Sequence, residues 1–81
     1  MLITQEQYNS LSFVGREIHE YWMKWKPEMY KEMYKAGTLW QILSEEDERL
    51  FEMGADLVSG PARLSPDQAM EIIREEYQGQ N

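Results

Sequence analysis

The chain reads as an all-α fold, a small bundle of about four helices, and three observations predict it. Apolar residues recur at three- and four-residue steps along most of its 81 residues. Pairs of the type Ser/Thr-x-x-Gln, which cap helix starts reciprocally, stand at the head of these stripes at Thr4 with Gln7, Thr38 with Gln41 and Ser65 with Gln68. Proline and glycine break the stripes near Lys26-Pro27, Gly37 and Gly60-Pro61, and no internal repeat, low-complexity tract or strand pair intervenes.

The Thr4 cap is followed by Tyr8, Leu11, Gly15, Ile18, Trp22 and Trp25 at helical spacing, which predicts a first helix of about 20 residues. Pro27 disfavours helical geometry at Lys26 but suits the first turn of a new helix, so a corner is expected there. From Pro27 to Ala36 the stripe is Met29, Tyr30, Met33 and Tyr34, and Gly37 is the expected stop. A third helix opens at Thr38 and carries Leu39, Trp40, Ile42 and Leu43. Ser44 with Asp47 could cap a fresh start, but Leu43, Leu50 and Leu57 keep a seven-residue step, which predicts continuity or a slight kink. The run ends in VSGPARLSPD. Ser65, Pro66 and Gln68 then supply an N-cap, a first-turn proline and a capping box for a last helix with the stripe Ala69, Met70, Ile73 and Tyr77. Gly79 closes it before a polar tail, Gln80 and Asn81.

These elements imply one domain over residues 1–81, with a helical core over about residues 4–60 and a C-terminal helix over 65–78 after the Gly-Pro loop. A chain this short buries roughly 60 to 65% of its unfolded surface, so a partner protein or a homodimer would add stability. A hydrophobic fraction of 42%, with three Trp and five Tyr, is that of a folded chain. No apolar run reaches the length of a membrane span, the N-terminus lacks a leader pattern and there is no Cys, so the expected location is cytoplasmic, away from membranes.

The formal net charge of -7 opposes loose binding to nucleic acid and favours a basic partner. The charge is concentrated: residues 44–56 hold Glu45, Glu46, Asp47, Glu48, Glu52 and Asp56 against Arg49 alone, a net -5. On a helix, Glu45, Glu48, Glu52 and Asp56 line one face, a row that can imitate phosphates to a protein that grips nucleic acid; a merely solvated face is the plain alternative. Residues 21–35, YWMKWKPEMYKEMYK, instead crowd five large aromatic rings with four lysines. Trp22, Trp25, Lys26, Tyr30, Lys31, Tyr34 and, further on, Trp40 could stack bases and track phosphates, anchor a protein partner, or supply the core that a small domain needs. Pairs such as Glu32 with Lys35 are ordinary helix-surface spacing.

No catalytic, cofactor or metal motif is present. His19, the sole histidine, has no Cys to work with and reads as a packed or partly exposed helix residue; carboxylates along one helix face do not converge on a cation. The chain is therefore expected not to be an enzyme and to need no cofactor.

The run from Tyr21 to Glu48, with Lys26-Pro27, Met29-Tyr30, Ala36-Gly37, Leu39, Leu43 and Asp47-Glu48, and with Gly15-Arg16 upstream, resembles the TnpV-like proteins carried by transposons and integrative elements. The resemblance extends over about residues 15–60. Lys26 stands where that family tends to have Arg, aromatic residues replace several aliphatic ones, and the chain is short at both ends. The resemblance implies a gene on a mobile genetic element, and by analogy of class and size a partner such as a CRISPR effector or another defence nuclease. Two functions are thus expected: an acidic inhibitor or regulator of a basic nucleic-acid-binding protein acting through Glu45, Glu46, Glu48, Glu52 and Asp56, or a transposon accessory factor that touches DNA through the lysine and aromatic segment.

Overall fold

The computed structural model describes residues 1–79; the predicted polar tail, Gln80 and Asn81, lies outside the described residues. In chain order the helices are α1 (Gln5–Ser10), α2 (Phe13–Trp25), α3 (Pro27–Lys35), α4 (Leu39–Ser59) and α5 (Pro66–Gln78), with no strand among the described residues. The protein is an all-α bundle.

The first helix is shorter than its stripe predicts. The Thr4–Gln7 capping box forms in both directions, but the helix stops at Ser10, Leu11 is extended, and Ser12 caps a separate α2. The cause is a tertiary cap. The Asp47 carboxylate, reaching over from α4, accepts from the Ser12 and Gly15 backbone N–H groups at 3.0 Å each and from the Ser12 hydroxyl. Starting a helix at Ser12 leaves amides without intrahelical partners, and a buried anion satisfies two of them while meeting the positive end of the helix dipole.

The corner at Lys26-Pro27 lies where proline demands it, with Lys26 at φ -131° and ψ 50° closing α2 and opening α3. Gly37 takes φ 75°, a left-handed turn that suits glycine at a helix end. Thr38 does not form the predicted capping box: it sits near the helical region itself, and its hydroxyl turns back to donate to the Met33 carbonyl at 3.4 Å. From there α4 runs unbroken for 21 residues through Ser44, whose hydroxyl donates to the Gln41 carbonyl at 3.1 Å instead of capping a new start. After the Gly60-Pro61 loop, in which Arg63 adopts φ 46°, the Ser65–Gln68 capping box forms in both directions and opens α5.

The α2/α4 pair is the most extensive helix contact, α5 covers α4, and α3 leans on both α2 and α4. Ile18, Leu43, Leu50 and Ile73 are at most 2% exposed at its centre. Burial contributes roughly 1.5–3 kcal/mol for each such side chain. Two glycines set the spacing between helices: a Cβ on Gly15 would lie 2.5 Å from Asp47 Cγ, and one on Gly54 would lie 2.7 Å from Ile73 Cδ1. His19 is fully buried, edge-to-face with Tyr8 and Tyr30. The Tyr30 hydroxyl lies 2.7 Å from His19 Nε2 and accepts the Leu2 N–H at 2.8 Å, which pins the N-terminal stretch over α2 and α3.

Candidate functional site

The long unbroken α4 determines where its acids go. Leu39, Leu43, Asp47, Leu50 and Gly54 face inward, so Glu45, Glu48, Glu52 and Asp56 are carried outward at three- and four-residue steps, and all four are exposed. The row is about 16 Å long at 1.5 Å per residue. Gln41 donates to Glu45 at 3.3 Å. Two acids of the same segment are elsewhere: Asp47 is the buried cap described above, and Glu46 is half-buried and holds Arg49 at 3.0 Å, with Glu76 of α5 at 4.0 Å from the same guanidinium. Glu46 therefore belongs to the α4/α5 seam and not to the outward row.

The other arginines of the helices are also engaged away from that row. Arg16 lies over the Tyr8 ring and donates to the Tyr8 and Asn9 carbonyls. Arg74 and the Tyr77 hydroxyl both bond Glu17 Oε1 at 2.6 Å, clamping α5 to α2. Arg74's hydrogen bond is the main influence holding the Glu17 carboxyl below its ordinary range, against the opposing effect of partial burial, while burial and then Glu17 push the Tyr77 hydroxyl up. Arg49 reaches Glu46 and Glu76 but also borders the row, lining one shallow surface pocket with Glu52 and Asp56, so it offsets part of the field of four carboxylates there.

The aromatic and basic segment is not one surface. Trp22 and Tyr30 are 7% and 5% exposed and belong to the core, because α2 and α3 turn those positions inward. Trp40 is half-buried against the same core. Trp25 and Tyr34 remain exposed, at 63% and 54%, Lys24 lies over the Trp25 ring, Lys31 is exposed, and Lys35 faces Glu32 at 3.9 Å. Lys26 is half-buried at the corner.

Sequence reasoning missed a third feature. Phe13 and Phe51 meet edge-to-face at 6.0 Å, yet are 60% and 44% exposed, and with Val58, Pro66 and Met70 they edge an apolar groove between α4, α5 and the start of α2. The available signal was the adjacency of Leu50 and Phe51: neighbours on a helix cannot both face the same core.

Among the described residues no group of three His, Asp or Glu side chains is placed to hold a metal ion, and no helix is long and apolar enough to cross a membrane. No family model, curated protein or solved structure matches the chain.

Proposed function

We propose that this chain is a non-catalytic protein-binding module from a mobile genetic element, which holds a basic nucleic-acid-binding protein against the outer face of α4 and thereby inhibits or regulates it. The observation that carries this reading is the exposed row Glu45, Glu48, Glu52 and Asp56, one carboxylate per turn on a rigid helix. A phosphate-gripping site built from Arg and Lys meets in that row a spaced series of anions it is already shaped to bind. Charge at the rim of such a contact steers encounter, and apolar anchors hold the complex. The resemblance to TnpV-like proteins agrees with a mobile-element origin, and the action is that of an anti-CRISPR or other anti-defence factor.

The test is capture of partners from host lysate by the tagged protein, with nuclease present, beside a variant carrying Glu45→Lys, Glu48→Lys and Glu52→Lys. All three positions are solvent-facing, so the helical circular-dichroism signal should not change. The expected result is a basic nucleic-acid-binding protein retained by the native chain and lost by the variant. Undiminished capture by the variant removes the reading. Capture that disappears with nuclease transfers the function to the lysine and aromatic segment.

A further inference from the structure

The geometry points to the apolar groove between α4 and α5 as the seat of a basic amphipathic helix from the partner protein. The inference rests on the acidic-interface reading and names the element that the interface receives.

The groove has a volume of about 350 Å³ and a floor of Gly54, Ala69 and Ile73. Its α4 wall is Phe51, Ala55 and Val58, at i, i+4 and i+7, so the wall is two turns or about 10 Å long. Pro66 and Met70, one turn apart, form the facing wall on α5. An apolar trough with a two-turn wall on one side suits the i, i+3 or i+4, i+7 anchors of an incoming helix. Phe13, Phe51 and Val58 stay 60%, 44% and 39% exposed although each has apolar neighbours within reach, so the fold leaves this face uncovered.

Charge selects the occupant. Glu48 and Glu52 precede Phe51 and Ala55 by three residues and therefore form the row directly beside the α4 wall, while Asp67 lies on the α5 side of the groove. An apolar trough with carboxylates on both rims fits a helix with an apolar stripe flanked by Lys or Arg. A second copy of this chain fits badly. In a two-fold contact the same patch meets itself, which would bring the acidic rims of two chains of net charge -7 together.

The probe is a fluorescein-labelled, lysine-rich synthetic helix with leucines at i, i+4 and i+7, compared with a peptide of identical composition in scrambled order. Both are titrated by anisotropy against the full chain. The ordered peptide should bind at least about tenfold tighter than the scrambled one, the scale expected from burying one or two large apolar side chains. Phe51→Ser should abolish that preference while leaving the weak, salt-sensitive binding of the scrambled peptide intact. Val58→Ser is the second variant should Phe51→Ser not fold. Equal binding of the two peptides, no binding of either, or a preference that survives both serine variants overturns the inference, as does a native-chain dimer that the ordered peptide fails to dissociate. Glu48→Lys with Glu52→Lys should weaken both peptides alike; if it does not, the acidic-interface reading fails while the apolar groove keeps its ligand.

Discussion

Replacing Gly15 by alanine sets two physical effects against each other. Gly15 lies inside α2, where alanine is favoured over glycine by about 1 kcal/mol of helix propensity. Its Cβ, however, would fall 2.5 Å from Asp47 Cγ and 2.7 Å from Asp47 Cβ, where ordinary contact begins near 3.4 Å, so α2 and α4 must separate by about 0.9 Å. Asp47 cannot simply swing away, because its carboxylate is held by Ser12 and by the Gly15 N–H itself. Overpacking of this kind costs about 1–3 kcal/mol, and disturbing the cap adds about 0.5–2 kcal/mol. The net expectation for Gly15→Ala is therefore a loss of about 2 kcal/mol, or roughly 8–16 °C in Tm for a domain of this size. Thermal and urea unfolding followed by circular dichroism measure it. In an Asp47→Gly background the obstacle is gone, and the same substitution should become neutral or stabilising by up to about 1 kcal/mol. A stabilising effect of Gly15→Ala in the native background would refute the close approach of α2 and α4 at this point.

Four further outcomes follow from the contacts of α2 with its neighbours. Tyr30→Phe removes the hydroxyl that faces His19 Nε2 and accepts the Leu2 N–H; since His19 Nδ1 has no hydrogen-bond partner among the described residues, a loss of about 1–3 kcal/mol in urea unfolding is expected. Burial holds the His19 pKa below its ordinary value, an effect that Glu20 opposes, so between the folded and the ordinary value the unfolded chain binds more protons than the native one. Stability should accordingly fall as pH drops through the ordinary histidine value near 6.5, a slope absent from His19→Leu and visible as Tm against pH. Glu17 has the same sign of linkage at lower pH, because its pKa too is lowered in the fold; the stability contributed by its bonds to Arg74 and Tyr77 should be complete above the ordinary carboxyl value and fade as pH falls through the lowered one. Because Arg74 is about half exposed, Arg74→Ala should cost less than about 1 kcal/mol, diminishing in high salt.

What the sequence discloses and what it hides divide along a physical line. Pro27, Gly37 and Ser65-Pro66 act on their own backbone, so the corner, the left-handed turn and the start of α5 are legible from local chemistry. The leucine step through Leu43, Leu50 and Leu57 likewise favours continuity or a slight kink over a fresh start at Ser44, and α4 is unbroken. The stop after Ser10 is not local: Tyr8, Leu11 and Gly15 keep helical spacing, and only the arrival of Asp47, 35 positions beyond Ser12, decides the break. The same contact takes one carboxylate out of a segment whose charge looks wholly external. Among the aromatics, Trp22 and Trp25 share a stripe yet differ from 7% to 63% exposed, because burial depends on which helix lies opposite and not on spacing. The outward row of α4 was readable, since Glu45, Glu48, Glu52 and Asp56 fall on one face once the helix is granted. The groove was not, because its walls come from α2, α4 and α5, which the sequence does not bring together.

The central claim, that the outer face of α4 is the surface that meets a partner, is tested most directly by carboxylate footprinting. The chain, alone and bound to the basic protein it captures, is labelled with a carbodiimide and an amine, and modification of each acid is read by mass spectrometry. The account predicts protection of Glu45, Glu48, Glu52 and Asp56 on binding, with Glu6 and Glu28 labelled as in the free chain. Unchanged labelling along that row in a formed complex would contradict it.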